Sequence, residues 1–309
     1  MSLAARVASA YKTGGVREVM KRSLRRVRPD LLHDLYGVLP PLYYEVLRAH
    51  RVLGYWPHVR HPRSFNEKVL HRMLFKQHPL SHIVADKWRV RQYVKSKGLE
   101  TLLIDTYFVG EDPARIPFDD LPDRYVIKAN HGCHWNMIVR DGKAVNRLEV
   151  VEQCRKWLGQ RLTATARCHE KHYDLIPPKV LVERFIEDSR FGIPPEYKFF
   201  CFHGKVHYVK VIDRSESPTL TFYDAEWRNM DFSYNYPSFS RGNPIRRPAR
   251  LDRMIEVAEV LGGDFDFARV DLYSPNDDNV IFGEITLTPC GGVGRFEPRE
   301  WDFRIGQLW

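Results

Sequence analysis

The chain has 309 residues, 43% of them hydrophobic and 13% aromatic, which is enough apolar surface for one large domain or for two to three interlocked subdomains. Forty-eight Lys and Arg against thirty-nine Asp and Glu leave a formal net charge of +9, a bias toward anionic partners such as nucleotides, acidic polymers or phospholipid surfaces. Aromatics running from Tyr11 to Trp309 exclude a low-hydrophobicity disordered chain, and the longest apolar runs fall far short of the roughly twenty residues that span a bilayer.

The chain carries five cysteines. With no CxxC pair and no cleavable leader, they predict a reduced, cytoplasmic setting. Residues 2–27 alternate Arg and Lys with Val16, Met20, Leu24 and Val27 at helical spacing. The spacing predicts a basic amphipathic helix. It suits peripheral contact with the inner membrane face, and equally a solvated helix packed by one stripe. Pro40 and Pro41 punctuate the chain, and residues 42–53 and 64–76 follow as helices. Ser64 with Glu67 three residues on forms a capping box. A further helix is expected over residues 86–97, stopped by Gly98.

From residue 102 the pattern changes to short β-branched and aromatic runs. Strands are expected over residues 105–109, 124–129, 137–139, 179–186, 197–202, 205–213 and 219–223. His203-Gly204 is a hairpin signal between two of them. Helices interrupt at 146–162 and 250–261, and strands at 267–273 and 280–287 close the pattern through a polar turn at 274–279. The class is α+β, with helices expected on one face of antiparallel sheets.

Four separated segments each supply half of a phosphate or metal site. Asp86-Lys87 places an ammonium at an expected helix start. Residues 125–128 form an apolar strand ending in Lys128, next to the Gly132 loop, where backbone N–H groups can cradle phosphate. In residues 267–272, strand alternation puts Arg269 and Asp271 on one face. Residues 281–286 do the same with Glu284 and Thr286. If the last two strands pair, Asp271 and Glu284 converge as hard oxygen ligands suited to Mg²⁺.

The order of these segments resembles the ATP-grasp superfamily and, more narrowly, the TupA-like ATP-grasp family. The resemblance is carried by SFNEK (64–68), ADKWRVRQYV (85–94), LPDRYVIKANHG (121–132), EYKFFCFHGK (196–205), TFYDAEW (221–227), ARVDLY (268–273) and FGEITLTP (282–289). It implies an ATP-grasp fold in which two α+β subdomains hold ATP between antiparallel sheets. The implied division is a basic helical extension at 1–60, an N-terminal helical or α+β subdomain at 61–121, a central subdomain with the phosphate loop at 122–186 and a C-terminal subdomain with the metal site at 187–309.

By the same resemblance, Lys87 and Lys128 bind ATP phosphates, and the loop beginning at His131 and Gly132 closes over them. Glu183, Phe185 and Ile186 form the adenine hinge. Glu196 takes the ribose hydroxyls and Lys198 points to the phosphates. Asp271, Glu284 and Thr286 hold Mg²⁺, Thr286 standing where the family pattern carries Asn. Arg269, Lys128 and Lys198 are the catalytic group. The implied activity is that of a carboxylate–amine ligase working through an acyl phosphate and releasing ADP and phosphate. Its expected substrates are an anionic carboxylate of a bacterial surface polysaccharide or polymer, a uronic acid or glutamyl group, and an amino acid or amine.

Rival readings come from other residues. His131, Cys133 and His134 in one loop, and Cys168, His169 and His172 in another, have spacings that offer zinc ligands. Cys133 or Cys290 beside a histidine offers a nucleophile. The basic balance also suits a glycosyltransferase or glycan-binding accessory protein of polysaccharide biosynthesis. No aromatic–basic motif supports nucleic-acid binding.

Overall fold

The structure is a computed structural model that describes residue 32 and residues 34–214, 218–234 and 240–309. The basic helix expected over residues 2–27 lies outside the described residues. Helix α1 (Pro41–Leu53) opens on the proline pair and stops at Gly54, whose φ of +75° ends a helix at no steric cost. Helix α2 (Phe65–Phe75) carries the expected capping box, Ser64 and Glu67 each satisfying the other's backbone N–H. A one-turn helix α3 (Ser81–Val84) follows. The helix expected from residue 86 begins later, as α4 (Val90–Ser96). The cause is Asp86, whose Oδ1 accepts the N–H groups of Trp88 at 2.8 Å and Arg89 at 3.2 Å and holds that stretch as a turn.

Strands β1 (Thr106–Gly110), β2 (Tyr125–Ala129), β3 (Asn136–Val139) and β4 (Val180–Arg184) form an antiparallel sheet in the order β1-β4-β2-β3. Strand β1 pairs with β4 along the edge of this sheet. Alternation sends Tyr125, Ile127, Ala129, Val180 and Val182 into a core with Val150, Cys154 and Trp157 of helix α5 (Arg147–Leu158). Val126, Lys128 and Glu183 take the opposite face. A short helix α6 (Leu162–Ala166) ends the crossover.

The larger sheet holds β5 (Glu196–Phe202), β6 (Lys205–Asp213), β7 (Thr219–Asp224), β8 (Asn229–Met230), β10 (Ser240–Arg241), β11 (Phe267–Tyr273) and β12 (Ile281–Thr286). Its path is β10-β7-β6-β5-β11-β12, with β8 on β7. The β5–β6 hairpin turns on His203 and Gly204 at φ +49° and +76°, the left-handed pair expected of a tight turn. Strands β9 (Ser233–Tyr234) and β13 (Phe296–Glu297) pair separately.

One face of this sheet, with Phe199, Cys201, Val270 and Leu272, packs on helix α7 (Leu251–Gly262) and α4. Helices cover part of the other face as well, against the one-face expectation. There Phe200, Phe202, Phe222 and Phe267 meet Phe65 and Val69 of α2 and Ile305 of helix α8 (Glu300–Gly306). Buried Arg72 of α2 donates to the carbonyls of Phe267 at 2.9 Å and Leu287 at 2.8 Å, tying α2 to the neighbouring strands. The remainder of that face carries charge.

Candidate nucleotide and metal site

Strand register builds a row of charged side chains. Lys210 of β6 lies opposite Lys198 of β5, Lys198 opposite Asp271 of β11, and Asp271 opposite Glu284 of β12. Directly opposed residues share a face, so four strands present base, base, acid and acid in line. A bulge between Asp271 and Leu272 sets the last step, because the extra residue Gly283 lets Phe282 turn into the apolar core while Glu284 stays on the charged face.

Arg269 lies one step along β11, opposite Thr286. Its Nε donates to Asp271 Oδ1 at 2.7 Å, and its Nη2 reaches Asp271 Oδ2 at 2.8 Å, Glu284 Oε1 at 2.6 Å and Thr286 Oγ1 at 2.9 Å. Lys198 pairs with Asp271 and, at 2.7 Å, with Glu196. Burial works against the Lys198 ammonium, yet the Asp271 and Glu196 carboxylates outweigh it and raise its pKa. Partial desolvation would raise the Glu284 pKa, but Arg269, Lys198 and Lys87 outweigh it and hold the carboxyl below the usual carboxylate range. Asp271 is buried, whereas the Glu284 side chain is 46% exposed toward the opening.

Asp271, Glu284 and Thr286 therefore aim oxygens at one point, presently the Arg269 guanidinium. A set of two carboxylates and a hydroxyl fits Mg²⁺, which favours hard oxygens and retains waters. Among the described residues no group of three or more His, Cys, Asp or Glu is arranged to hold a metal ion, so the zinc reading finds no assembled site. The His131 Nε2 lies 3.2 Å from the Trp157 carbonyl, and His169 Nδ1 lies 2.8 Å from Glu45 Oε1.

The β2–β3 loop faces this row. Lys87 Nζ donates to the Gly132 carbonyl, and its charge is among those that act on Glu284 and on Cys133 of the same loop. A Cβ on Gly132 would fall 2.3 Å from the Trp135 ring, so the glycine is required by close packing. The His131 imidazole turns inward instead of toward the opening. It is buried against Trp157 and Gln160, and burial lowers its pKa. It anchors the loop; the loop backbone is the part left to face a phosphate.

The hub of this region is Asn130, fully buried. Its Nδ2 donates to Asp86 Oδ1 and to the Pro177 carbonyl, each at 3.0 Å, and its Oδ1 accepts the Lys179 N–H at 2.7 Å. Lys128 pairs with Glu183 across β2 and β4, Nζ to Oε2 at 2.7 Å. It belongs to the small sheet's exposed face, and its ion pair is with that sheet, not with the Asp271 row.

Phe185 and Ile186 follow β4 into the connection between the sheets. A cavity of about 480 Å³ opens there, lined by Arg124 and Arg140 beside the small sheet, Phe185 and Glu187 of the connection, and Ile193 and Arg214 beside the large one. Arg214 pairs with Glu196. Burial alone would raise the Glu196 pKa, but Lys198 and Arg214 together hold it down at about 2. Asn130, Arg214 and Lys210 were not singled out from sequence. Strand alternation in residues 205–213 was the available signal for Lys210, since it puts Val209 and Val211 on the face opposite the lysine.

The fold and the charged row define the class, an ATP-grasp protein. The profile described as TupA-like ATPgrasp matches residues 67–309, and the chain belongs to that family. No curated protein matches it in sequence. Among solved structures it is similar to D-alanine–D-alanine ligase from Bacillus anthracis complexed with ATP, at 17% identity over 67% of this chain and 54% of that one, with a TM-score of 0.39. It is also similar to N5-carboxyaminoimidazole synthase from Aspergillus clavatus in complex with ADP and 5-aminoimidazole ribonucleotide, at 12% identity over 68% and 47%, with a TM-score of 0.41. A third is L-amino acid ligase from Bacillus licheniformis, at 17% identity over 70% and 43%, with a TM-score of 0.38. The chain spans about half the length of these structures.

Among the described residues no helix is long and apolar enough to cross a membrane.

Proposed function

We propose that this protein is an ATP- and Mg²⁺-dependent carboxylate–amine ligase. The observation that carries the reading is the convergence of Lys198, Arg269, Asp271 and Glu284 on one sheet face, with Lys87 and the Gly132 loop opposite. Asp271, Glu284 and Thr286 would hold Mg²⁺, which would supply neutralisation of the negative charge that builds up during phosphoryl transfer.

The chain's own groups take the remaining tasks. Glu183, Phe185 and Ile186 offer backbone groups and apolar surface to adenine. Glu196 accepts from the ribose hydroxyls. Lys87, Lys128 and the backbone from His131 and Gly132 bind phosphates. Arg269 and Lys198 offset the repulsion between the γ-phosphoryl group and an anionic substrate. The carboxylate oxygen attacks the γ-phosphorus and ADP leaves. An amine then displaces phosphate from the acyl phosphate and loses its proton, giving the amide. Because acyl phosphates hydrolyse, the Gly132 loop has to exclude water while the amine attacks.

The substrate class we favour is a uronic acid or glutamyl carboxylate of a surface polymer, joined to an amino acid or amine. The basic net charge supports an acidic polymer. The acceptor pocket falls to the segments 215–218, 234–247 and 290–296, of which residues 215–217 and 235–239 lie outside the described residues.

Thermal unfolding tests the nucleotide part. Mg·ATP at a hundred times its dissociation constant adds about 2.7 kcal/mol to the folded state. UDP- or GDP-sugars should add nothing; the reverse pattern would favour the glycosyltransferase reading. A screen of uronic acids and amino acids for phosphate release with Mg·ATP then identifies the substrate pair.

A further inference from the structure

Strand β12 ends at Thr286, and shortly after it the chain makes an unusual turn. Cys290, Gly291 and Gly292 follow one another at φ +54°, +54° and +71°, all left-handed. Glycine accepts that conformation readily, whereas a cysteine side chain is crowded in it. Such a backbone persists only where its surroundings over-determine it.

The surroundings are side chains from distant parts of the chain. Arg48 of α1 donates from Nη2 to the Gly291 carbonyl at 2.6 Å, and Tyr234 Oη donates to the Pro289 carbonyl at 3.2 Å. Asn66 Nδ2 donates to the Gly294 carbonyl at 2.8 Å, and Thr288 Oγ1 donates to Glu170 Oε1 at 2.5 Å. Among these Arg48 grips the middle of the left-handed run. It is itself fixed from behind, because its Nε donates to Glu45 Oε2 at 2.5 Å and the other oxygen of fully buried Glu45 accepts the His169 backbone N–H at 2.9 Å. A planar guanidinium faces both partners at once, which a single ammonium on a flexible stem does not.

The turn that Arg48 holds borders the charged row. The Cys290 side chain is exposed and lies close enough to Arg269 and to the Tyr234 hydroxyl to act on both. Arg269 is the residue that gathers Asp271, Glu284 and Thr286. One side of the turn thus looks onto the metal and phosphate end of the site, and the other is tied to α1. A wall in that place matters to reaction geometry, where a misplacement of about 1 Å can cost on the order of a hundredfold in rate. A buried charge pair contributes little stability by itself, so stability is a poor reason for keeping Glu45 and Arg48 behind the turn. Arg48 also lies ahead of residues 67–309, so the family match assigns it no role.

We propose that Arg48 is a positioning residue for the ligase reaction: through the Gly291 carbonyl it fixes the 290–292 turn as the wall against which the carboxylate substrate is set beside Arg269. The proposal rests on the ligase reading and deepens it, bringing α1 into the substrate side of the site. Because Arg48 acts through Gly291, its loss should weaken use of the carboxylate and leave nucleotide binding as it is.

The test uses the full chain and three readouts: thermal titration with Mg·AMP-PNP, alkylation of Cys290 by iodoacetamide followed by peptide mass, and ADP release from Mg·ATP driven by D-glucuronate or L-glutamate with hydroxylamine as the amine. Arg48→Met should alkylate at Cys290 at least fivefold faster than wild type, with Cys133 unchanged. Its kcat/KM for the carboxylate should fall at least tenfold, with the AMP-PNP midpoint within twofold of wild type. Since Arg48→Met strands the Glu45 carboxylate, the double variant Arg48→Met with Glu45→Gln removes both charges and should show the same losses while melting near wild type. Leu39→Ala, a core cut ahead of α1 that touches none of these contacts, should lower the melting temperature and move neither the Cys290 rate nor the carboxylate kcat/KM. A Cys290 rate or a carboxylate kcat/KM of wild-type size in the double variant, or equal losses in Leu39→Ala, overturns the proposal. A wild type that binds Mg·AMP-PNP and releases ADP with neither carboxylate overturns it too, whereas failure of wild type to bind Mg·AMP-PNP would overturn the nucleotide reading beneath it.

Discussion

Lys198 and Asp271 stand directly opposite each other on β5 and β11 and form a buried ion pair between residues far apart in the chain. An ion pair in that setting is weak evidence for stability, because desolvation offsets much of the attraction, but breaking it from one side leaves a charge without compensation. Arg269 and Glu284 extend the pair into a network that brings cations and acidic oxygens to one point. A nucleotide and its divalent ion require both.

Asp271→Asn tests the acidic half. The variant keeps the shape of the side chain and loses its charge. In wild type, Mg²⁺ should enlarge the thermal shift given by ATP, and EDTA should reverse the gain. In Asp271→Asn the shifts with and without Mg²⁺ should coincide, and substrate-dependent ADP release should disappear. A Mg²⁺-dependent shift of wild-type size in the variant would remove Asp271 from the metal site.

Lys128→Ala separates a structural role from a functional one. Its partner Glu183 is buried, so the single variant strands a carboxylate and should lower the melting temperature. Adding Glu183→Gln should restore most of the melting temperature, while ATP-dependent ADP release stays lost relative to Glu183→Gln alone. Activity returning together with stability would mean that Lys128 only neutralises Glu183.

Gly132→Ala places a methyl group 2.3 Å from the Trp135 ring. Overpacking of this kind costs typically 1–3 kcal/mol. Because the loop also meets Lys87 through the Gly132 carbonyl, the variant should lose ATP turnover by more than tenfold. Its melting temperature should fall by only a few degrees. Unchanged turnover would show that the loop's position does not matter to the reaction.

Glu196 gives the site a pH signature. Its carboxyl is held at about 2 in the folded protein by Lys198 and Arg214 despite burial, against 4.5 for the ordinary group. A depressed carboxylate pKa stabilises the fold above its unfolded value, and that contribution is lost as pH falls from about 4.5 toward 2. Denaturant titrations across this window should show wild type losing stability more steeply than Glu196→Gln. Parallel slopes would mean that Glu196 is not held by its neighbours.

Much of this was legible in the residues. Ser64 with Glu67, Gly98 after its helix and His203-Gly204 between strands are local devices, and local sterics and hydrogen bonds suffice to specify them. Arg269 and Asp271 fall on one face because strand alternation has a period of two, and the short connection from β11 to β12 brings Glu284 opposite. The helix expected at residue 86 starts only at Val90, because the Asp86 side chain competes for the same backbone donors that a helix would use.

What the residues by themselves determined, then, is the order of the elements, their caps and turns, and which side chains share a strand face, since these depend on neighbours within a few positions. Tertiary structure decided the rest. It set Lys210 beside Lys198, turned His131 inward, made Asn130 a hub and used Gly283 to keep Glu284 on the charged face. Each of these depends on which distant strands pair, in what register and with what bulge, and such pairing is chosen by the summed packing of the two sheets, which no local pattern contains.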